Sequence, residues 1–348
     1  MRDSLFEMIR ALAINLIMTI AFQVIASCPA YSAVERQDLI PLGEDLGFPV
    51  YQWKDNSIPT KAIIVAFHGM TFYGLAFEDM ASHFASEGYP VYSYDFRGFG
   101  FWRKSHDKYK NIDGKVHFSQ ATEDGKKLIK ALHAQYPGQK IFCIGESLGS
   151  NLALWAVSQE SLPVDGLILC GLAVKNSYHP TPRWVLDFAR EITNPNRPMN
   201  LTPYVKPNLA SDPKVTNIYL KDPEIVHKLS SVELVKALIT NKKSIESTYL
   251  ISPSISFLII SGENDRMFKA SALPDFATKL GEERTTVKIL PKKGHLLLEL
   301  APMDNELSST IDTWLNDQIQ IKETQVEKKE FEDEGAMQTK PNTVSLLQ

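Results

Sequence analysis

Cysteine is scarce. The 348 residues carry only three, which excludes a disulfide framework as the source of stability. Cys143 and Cys170 fall inside apolar runs that read as strands, where cysteine behaves as a small buried side chain. Cys28 lies just beyond an uncharged N-terminal stretch. An excess of one charge is also missing: 37 Lys and Arg against 41 Asp and Glu leave a formal net charge of −4. That balance gives no basic footprint for a nucleic acid. The chain has no internal repeat, no glycine-rich phosphate loop and no His, Cys, Asp or Glu spacing suited to a metal, so no cofactor and no metal are expected. What is present is an ordinary globular composition. With 44% hydrophobic and 22% charged residues, a chain of this length can bury a substantial core.

The most informative stretch runs from Ile141 to Ser150. The apolar residues up to Ile144 suit a buried strand, and Asn151–Val157 suits a buried helix. Between them lies Gly145-Glu146-Ser147-Leu148-Gly149, a Gly-x-Ser-x-Gly turn. Small residues flanking the serine let the backbone reverse sharply and leave its Oγ exposed above a sheet. This resembles the nucleophile elbow of the α/β-hydrolases. A serine hydroxyl needs a base to take its proton and an acid to orient that base. In this fold the chain order is Ser, then Asp or Glu, then His. Ser256–Ile260 reads as a strand, and Asp265 follows it in a loop at the carboxyl end, where α/β sheets build their sites. Thr286–Leu290 reads as the last strand, and His295 follows it. The candidates are therefore Ser147, Asp265 and His295, with Glu263 or Asp275 as alternative acids. Other histidines read as structural: His83 and His133 fall in predicted helices, and His179 and His227 in an insert.

Acyl transfer also needs donors for a tetrahedral oxyanion. Lys61–Phe67 reads as an early strand, and His68-Gly69-Met70 follows. The backbone N–H groups of Met70 and Leu148 form the expected pair, the second at a helix N-terminus. His68 reads as structural. Alternating strands and helices from about residue 60 predict a mostly parallel central sheet with helices on both faces.

With Asp95-Phe96-Arg97-Gly98-Phe99-Gly100 after the strand Val91–Tyr94, the chain resembles the monoacylglycerol lipase and lysophospholipase group of serine hydrolases, which also contains serine aminopeptidases. The resemblance rests on His68-Gly69, that Asp-x-Arg-Gly-x-Gly loop, the elbow, Gly262–Asp265 and Gly294-His295. It covers roughly residues 60–315. It implies an α/β-hydrolase fold and a lipid-like, small-molecule ester as substrate, monoacylglycerol or lysophospholipid in type. Proline-type aminopeptidases share the architecture and are the alternative. A catalytically silent binding protein of the envelope is a third reading, disfavoured because all three candidates and the oxyanion turn are in place. The chain departs from the group at Ser150, where glycine is usual, at Phe101-Trp102, which makes the loop's rim more aromatic, and at the bulky Met70–Tyr73. Asp95 and Arg97 are expected to organise their loop through charge-assisted hydrogen bonds.

About eighty residues with little strand character separate Gly166–Cys170 from Ser256–Ile260, far more than a normal connection. The span of about 173–252 is therefore a helical cap insert within a hydrolase domain of residues 34–320. Helices are expected at Tyr178–Phe188, Asp222–Lys228 and Ser231–Ile239. In the resembling family such a cap helps form the acyl pocket.

The two ends differ from this body. Ala11–Ala26 is uncharged and follows Arg2 and Arg10, the layout of a secretory signal, although Asp3 and Glu7 dilute the positive flank. Residues 1–33 read as a signal peptide or an uncleaved anchor, and the protein as exported, periplasmic or extracellular. Ile25-Ala26-Ser27-Cys28 resembles a bacterial lipobox, in which Cys28 would carry lipid and attach the protein to a membrane; cleavage near Ala30 or Ala33 is the alternative. Residues 321–348, mixed in charge and poor in apolar side chains, read as a disordered tail.

Overall fold

Apolar residues alternate between two buried faces along the central strands, and this explains the layering of the molecule. The computed structural model describes residues 33–103, 115–177, 185–186, 189–190 and 194–320. Its strands are β1 (Val34–Gln37), β2 (Val50–Asp55), β3 (Ile63–Phe67), β4 (Val91–Tyr94), β5 (Ile141–Glu146), β6 (Gly166–Cys170), β7 (Pro198–Asn200), β8 (Lys228–Ser230), β9 (Ser256–Gly262) and β10 (Thr285–Leu290). Eight of them form one sheet in the order β1-β2-β4-β3-β5-β6-β9-β10. The pairs from β4 through β10 are parallel, while β1–β2 and β2–β4 are antiparallel.

The helices are α1 (Pro41–Leu46), α2 (Glu78–Ser86), α3 (Phe118–Gln135), α4 (Leu148–Gln159), α5 (Thr202–Val205), α6 (Pro213–Lys221), α7 (Ser231–Glu246), α8 (Leu273–Leu280) and α9 over residues 305–320. Ile63, Val65, Phe67, Ile141, Cys143, Leu167 and Leu169 face a core shared with α3, α4 and α8. Ile64, Ala66, Phe142, Ile144, Ile168 and Cys170 face the other core, closed by α2 and α9. Burial on both faces is why these strands read as continuous apolar runs rather than alternating ones. The fold is thus the expected α/β-hydrolase arrangement. The reading from residue 60 missed β1, a polar edge strand, and β2, whose apolar residues are interrupted by Gln52, Lys54 and Asp55 and which pairs with both β1 and β4.

The strand order reverses at β3, with β4 on one side and β5 on the other. Loops leaving the carboxyl ends of β3 and β5 therefore diverge and open a crevice between them. His68 and Ser147 start those two loops.

Between β6 and β9 the chain forms α5, α6, α7 and the small β7–β8 ribbon. Asp222–Lys228 is not helical, contrary to expectation. The helix lies one segment earlier, in α6, where the Asp212 side chain caps the Lys214 N–H and Pro213 fills the first turn. Asp222 instead turns the chain, accepting the Glu224 N–H at 2.9 Å and the Tyr73 hydroxyl at 2.7 Å. The α7 helix starts where expected and runs on to Glu246, opened by a reciprocal Ser230–Glu233 capping box. The expected helix at 178–188 lies mostly outside the described residues, as do the leader, Cys28 and the tail. Among the described residues no helix is long and apolar enough to cross a membrane.

The Asp-x-Arg-Gly-x-Gly loop divides its charges between two jobs. Asp95 accepts from the Tyr51 hydroxyl, Gly74 N–H and Phe101 N–H, each at 2.7 Å. Arg97 grips Asp124 of α3 with two nitrogens, at 2.8 and 3.1 Å. Trp102 does not form an aromatic rim; it is buried, donates to the Asp95 carbonyl and lies under the Arg97 guanidinium. Burial pushes the Asp124 carboxyl upward and Arg97 opposes that shift. Replacing Arg97 by Met leaves a buried carboxylate without its cation and is expected to cost about 2–4 kcal/mol near neutral pH. Chemical denaturation at several pH values checks this: the deficit should shrink in acid, where a protonated Asp124 no longer needs the cation.

Candidate active site

Three loops at the carboxyl edge of the sheet bring the site together. Ser147, between β5 and α4, has φ 55° and ψ −122°. A non-glycine residue there carries about 1–3 kcal/mol of strain, and local contacts hold it. The Ser147 N–H donates to the Cys170 carbonyl at 2.8 Å, and the Ser150 hydroxyl sits 2.8 Å from the carbonyls of both Gly145 and Cys170. Ser150 therefore supplies a brace that glycine lacks. Gly149 is required for a different reason: a Cβ there would collide with the Phe67 carbonyl.

His295 joins Ser147 to Asp265. Its Nε2 lies 2.9 Å from Ser147 Oγ and its Nδ1 lies 2.8 Å from Asp265 Oδ2. The other Asp265 oxygen accepts the Met267 and Phe268 N–H groups at 2.7 and 2.9 Å, which fixes the carboxylate plane. Both His295 and Asp265 are buried. Glu263 and Asp275, the alternative acids, are exposed, and Glu263 accepts from the Lys292 N–H instead. Burial alone would lower the imidazole pKa. The charge and hydrogen bond of Asp265, with the nearby Glu146 charge, outweigh it and raise His295 above 6.5.

His68 behaves in the opposite way. It is fully buried, stacked on Phe96, and accepts the Phe96 N–H on Nε2 at 3.0 Å. Its Nδ1 must then carry the proton, which it donates to the Gly69 carbonyl at 2.8 Å. Desolvation lowers its pKa to about 3. Among the described residues, neither the Met70 N–H nor the Leu148 N–H donates to another protein group. Both flank Ser147 in a cavity of about 200 Å³, lined further by Asn176, Leu201, Tyr204, Leu234, Leu238 and Phe268. No ionisable carboxylate or cation lines it among the described residues. A larger cavity of about 720 Å³ lies elsewhere, between residues 210–215 and 290–307, and does not reach Ser147.

Two carboxyl groups escaped the sequence reading. Glu146 accepts three successive N–H groups of the His295 loop, and Glu299 accepts the Gly69 N–H. Each carried a signal: an acid ending an apolar strand, and a single acid among the leucines of residues 296–300.

Residues 58–300 match the family described as Serine aminopeptidase, S33. The chain belongs to that family. It is 23% identical over 272 residues to the monoglyceride lipase homolog of Monkeypox virus, covering 77% of this chain and 93% of the relative. Monoglyceride lipase of Homo sapiens is also 23% identical, over 269 residues, covering 76% and 85%. Among solved structures, a soluble variant of monoglyceride lipase from Saccharomyces cerevisiae superposes with a TM-score of 0.62 at 18% identity, covering 78% of this chain and 90% of that one. A thermostable carboxyl esterase from Bacillus coagulans gives 0.63 at 18%, covering 82% and 99%. The chain is thus an α/β-hydrolase of that family, similar to monoglyceride lipases.

The two buried imidazoles give a direct test. Histidine side-chain NMR across a pH titration is expected to show His295 protonating with a midpoint above 6.5 and His68 remaining neutral to below pH 4. A His68 that takes up a proton near pH 6.5 would contradict its place as a buried Nδ1–H donor.

Proposed function

We propose that this protein hydrolyses carboxylic esters of monoacylglycerol or lysophospholipid type through a Ser147 acyl-enzyme. The observation that carries the reading is the unbroken chain from Ser147 Oγ through His295 to Asp265, opening into an apolar cavity with two free backbone donors. Carboxylic ester hydrolysis is also the class that the monoglyceride lipase relatives and the esterase neighbour support.

In this mechanism Ser147 Oγ attacks the acyl carbon while His295 Nε2 takes its proton. The carbonyl oxygen becomes an oxyanion facing the Met70 and Leu148 N–H groups. The imidazolium passes its proton to the departing alcohol as the C–O bond breaks. Water then attacks the acyl-enzyme, giving its proton to His295 and releasing the carboxylic acid, and the proton returns to Ser147. Asp265 holds the imidazole in the Nδ1–H tautomer and stabilises its cation. The cap supplies apolar walls through Leu201, Tyr204, Leu234 and Leu238, so acyl chains rather than charged groups suit the space.

The family description keeps peptide hydrolysis as a second reading. A free peptide amine needs an anionic partner, and the cavity offers none among the described residues. The leader reading of residues 1–33 supports export, with lipidation at Cys28 as one route to membrane attachment. Mass spectrometry of the mature N-terminus is expected to find the chain starting at or after Cys28; an intact Met1 would remove cleavage and lipidation and leave the uncleaved anchor.

Hydrolysis of a p-nitrophenyl ester series from acetate to palmitate, beside an N-terminal proline amide, tests the activity. Wild type is expected to favour esters, and Ser147→Ala to lose at least about 10,000-fold in kcat. Cleavage of the amide with inert esters would transfer the assignment to the aminopeptidase reading.

A further inference from the structure

The oxyanion loop is held from a distance by two carboxyl groups that take no part in the proton relay. Glu146 ends β5, one residue before Ser147, and is completely buried. Its Oε1 accepts the Leu297 N–H at 2.7 Å, and its Oε2 accepts the Leu298 and Glu299 N–H groups at 3.0 and 2.8 Å. Three donors and no acceptor face it, so Glu146 is the charged member of the pair. This grip places the Glu299 side chain, also completely buried, beneath the loop that follows β3. There Glu299 Oε1 accepts the Gly69 N–H at 2.7 Å.

Gly69 is thereby gripped on both sides. Its N–H is bound by Glu299, and its carbonyl by the His68 Nδ1–H. A peptide unit is planar and trans, so the Gly69 carbonyl and the Met70 N–H point in opposite directions within one rigid plate. Fixing the carbonyl on His68 turns the Met70 N–H the other way. Fixing the Gly69 N–H sets the plate before it. The Gly69 carbonyl also accepts the Phe72 N–H at 3.2 Å, so the Met70 plane is held by His68 and the loop's own turn, and the plane before it by Glu299.

We propose that Glu299, seated by Glu146, is a positioning residue that aims the Met70 N–H at the oxyanion. The proposal rests on the ester hydrolase reading and deepens it. Two observations distinguish this role from a plain tie between loops. Glu299 Oε2 is buried with no hydrogen-bond partner, so a whole carboxyl group is retained in the core for the sake of one acceptor atom. Burial and the Glu146 charge also drive the Glu299 carboxyl well above its ordinary range, while its Oε1 faces the Gly69 donor. A neutral amide can supply the same acceptor.

The test compares Glu299→Gln with Glu299→Ala on the best p-nitrophenyl ester, with kcat, KM and the Ki of a matching trifluoromethyl ketone, which forms a hemiketal oxyanion on the serine. Glu299→Ala is expected to lower kcat by about 10- to 100-fold and to raise the Ki in parallel, with KM within about twofold, since one donor of the pair is misaimed and not deleted. Glu299→Gln should restore most of both. If Glu299→Ala does not fold, Glu299→Leu fills the volume without an acceptor and carries the same expectation. A folded Ala or Leu variant with near wild-type kcat and Ki, or a Gln variant as impaired as they are, overturns the positioning role. Wild-type activity abolished by Ser147→Ala is the control. A wild type inert toward every ester overturns the ester reading and this role with it, whereas an active wild type unmoved by Glu299→Ala overturns this role alone.

Discussion

A buried carboxylate is the constraint on which the site depends. Glu146 is part of the elbow strand, yet its hydrogen bonds all go to the loop behind His295. Removing such a charge from water costs several kcal/mol unless its lone pairs are filled. Three N–H groups fill them, each stronger for being charge-assisted. The result is a fixed distance between two segments about 150 residues apart in sequence, which is the distance the Ser147–His295 hydrogen bond requires. Sheet pairing does not supply that precision, because β5 and β10 are not neighbours: β6 and β9 lie between them. The negative charge has a second consequence. It lies close enough to His295 to help Asp265 raise the imidazole pKa, so the group that sets the geometry also favours the cation that forms during acyl transfer.

The apolar half of the site is organised from the oxyanion loop outward. The bulk of Met70–Tyr73, at odds with the resembling group, is explained by what it touches in the cap. The Thr71 carbonyl accepts the Val226 N–H at 2.9 Å, Phe72 packs on Tyr219, and the Tyr73 hydroxyl donates to Asp222. One short loop therefore presents a donor to the cavity, takes its aim from Glu299 and His68, and carries the cap on its outer side. Thr71 adopts φ 80° at the centre of this junction, a conformation that threonine holds only because its neighbours fix it.

What could be read from the sequence follows the locality of each signal. Ser147, Asp265 and His295 each follow an apolar run at a short offset, so strand pattern and chain order brought them forward with Glu263 and Asp275 as alternative acids; the structure places Asp265, and neither alternative, against His295. The parallel core was legible for the same reason, since strands buried on both faces are continuous apolar stretches. The β1 and β2 strands were not, because β1 is polar and the apolar residues of β2 are interrupted. The helix expected at Asp222–Lys228 shows a further limit: two Asp-Pro pairs, at 212 and 222, carry the same local start signal and each aspartate accepts the N–H two residues on, yet only the first opens a helix. Glu146 and Glu299 were visible as misplaced acids, but their partners lie about 150 and 230 residues away.

The departure at Ser150 connects these scales. The elbow places Ser147 in a strained conformation, and that strain must be offset where it arises. The Cys170 carbonyl at the end of β6 receives the Ser147 N–H and also faces the Ser150 hydroxyl, so β6 stabilises the turn from beside it. Asn151, the next residue, reaches the other way, from its carbonyl oxygen to the Ala173 N–H and from its amide to Ser244 of α7. The first turn of α4 thus binds the end of β6 on one side and the cap on the other. Ser150 braces the nucleophile and Asn151, the next residue, fastens the cap, so two neighbouring side chains of one helical turn serve the reacting atom and the cavity wall.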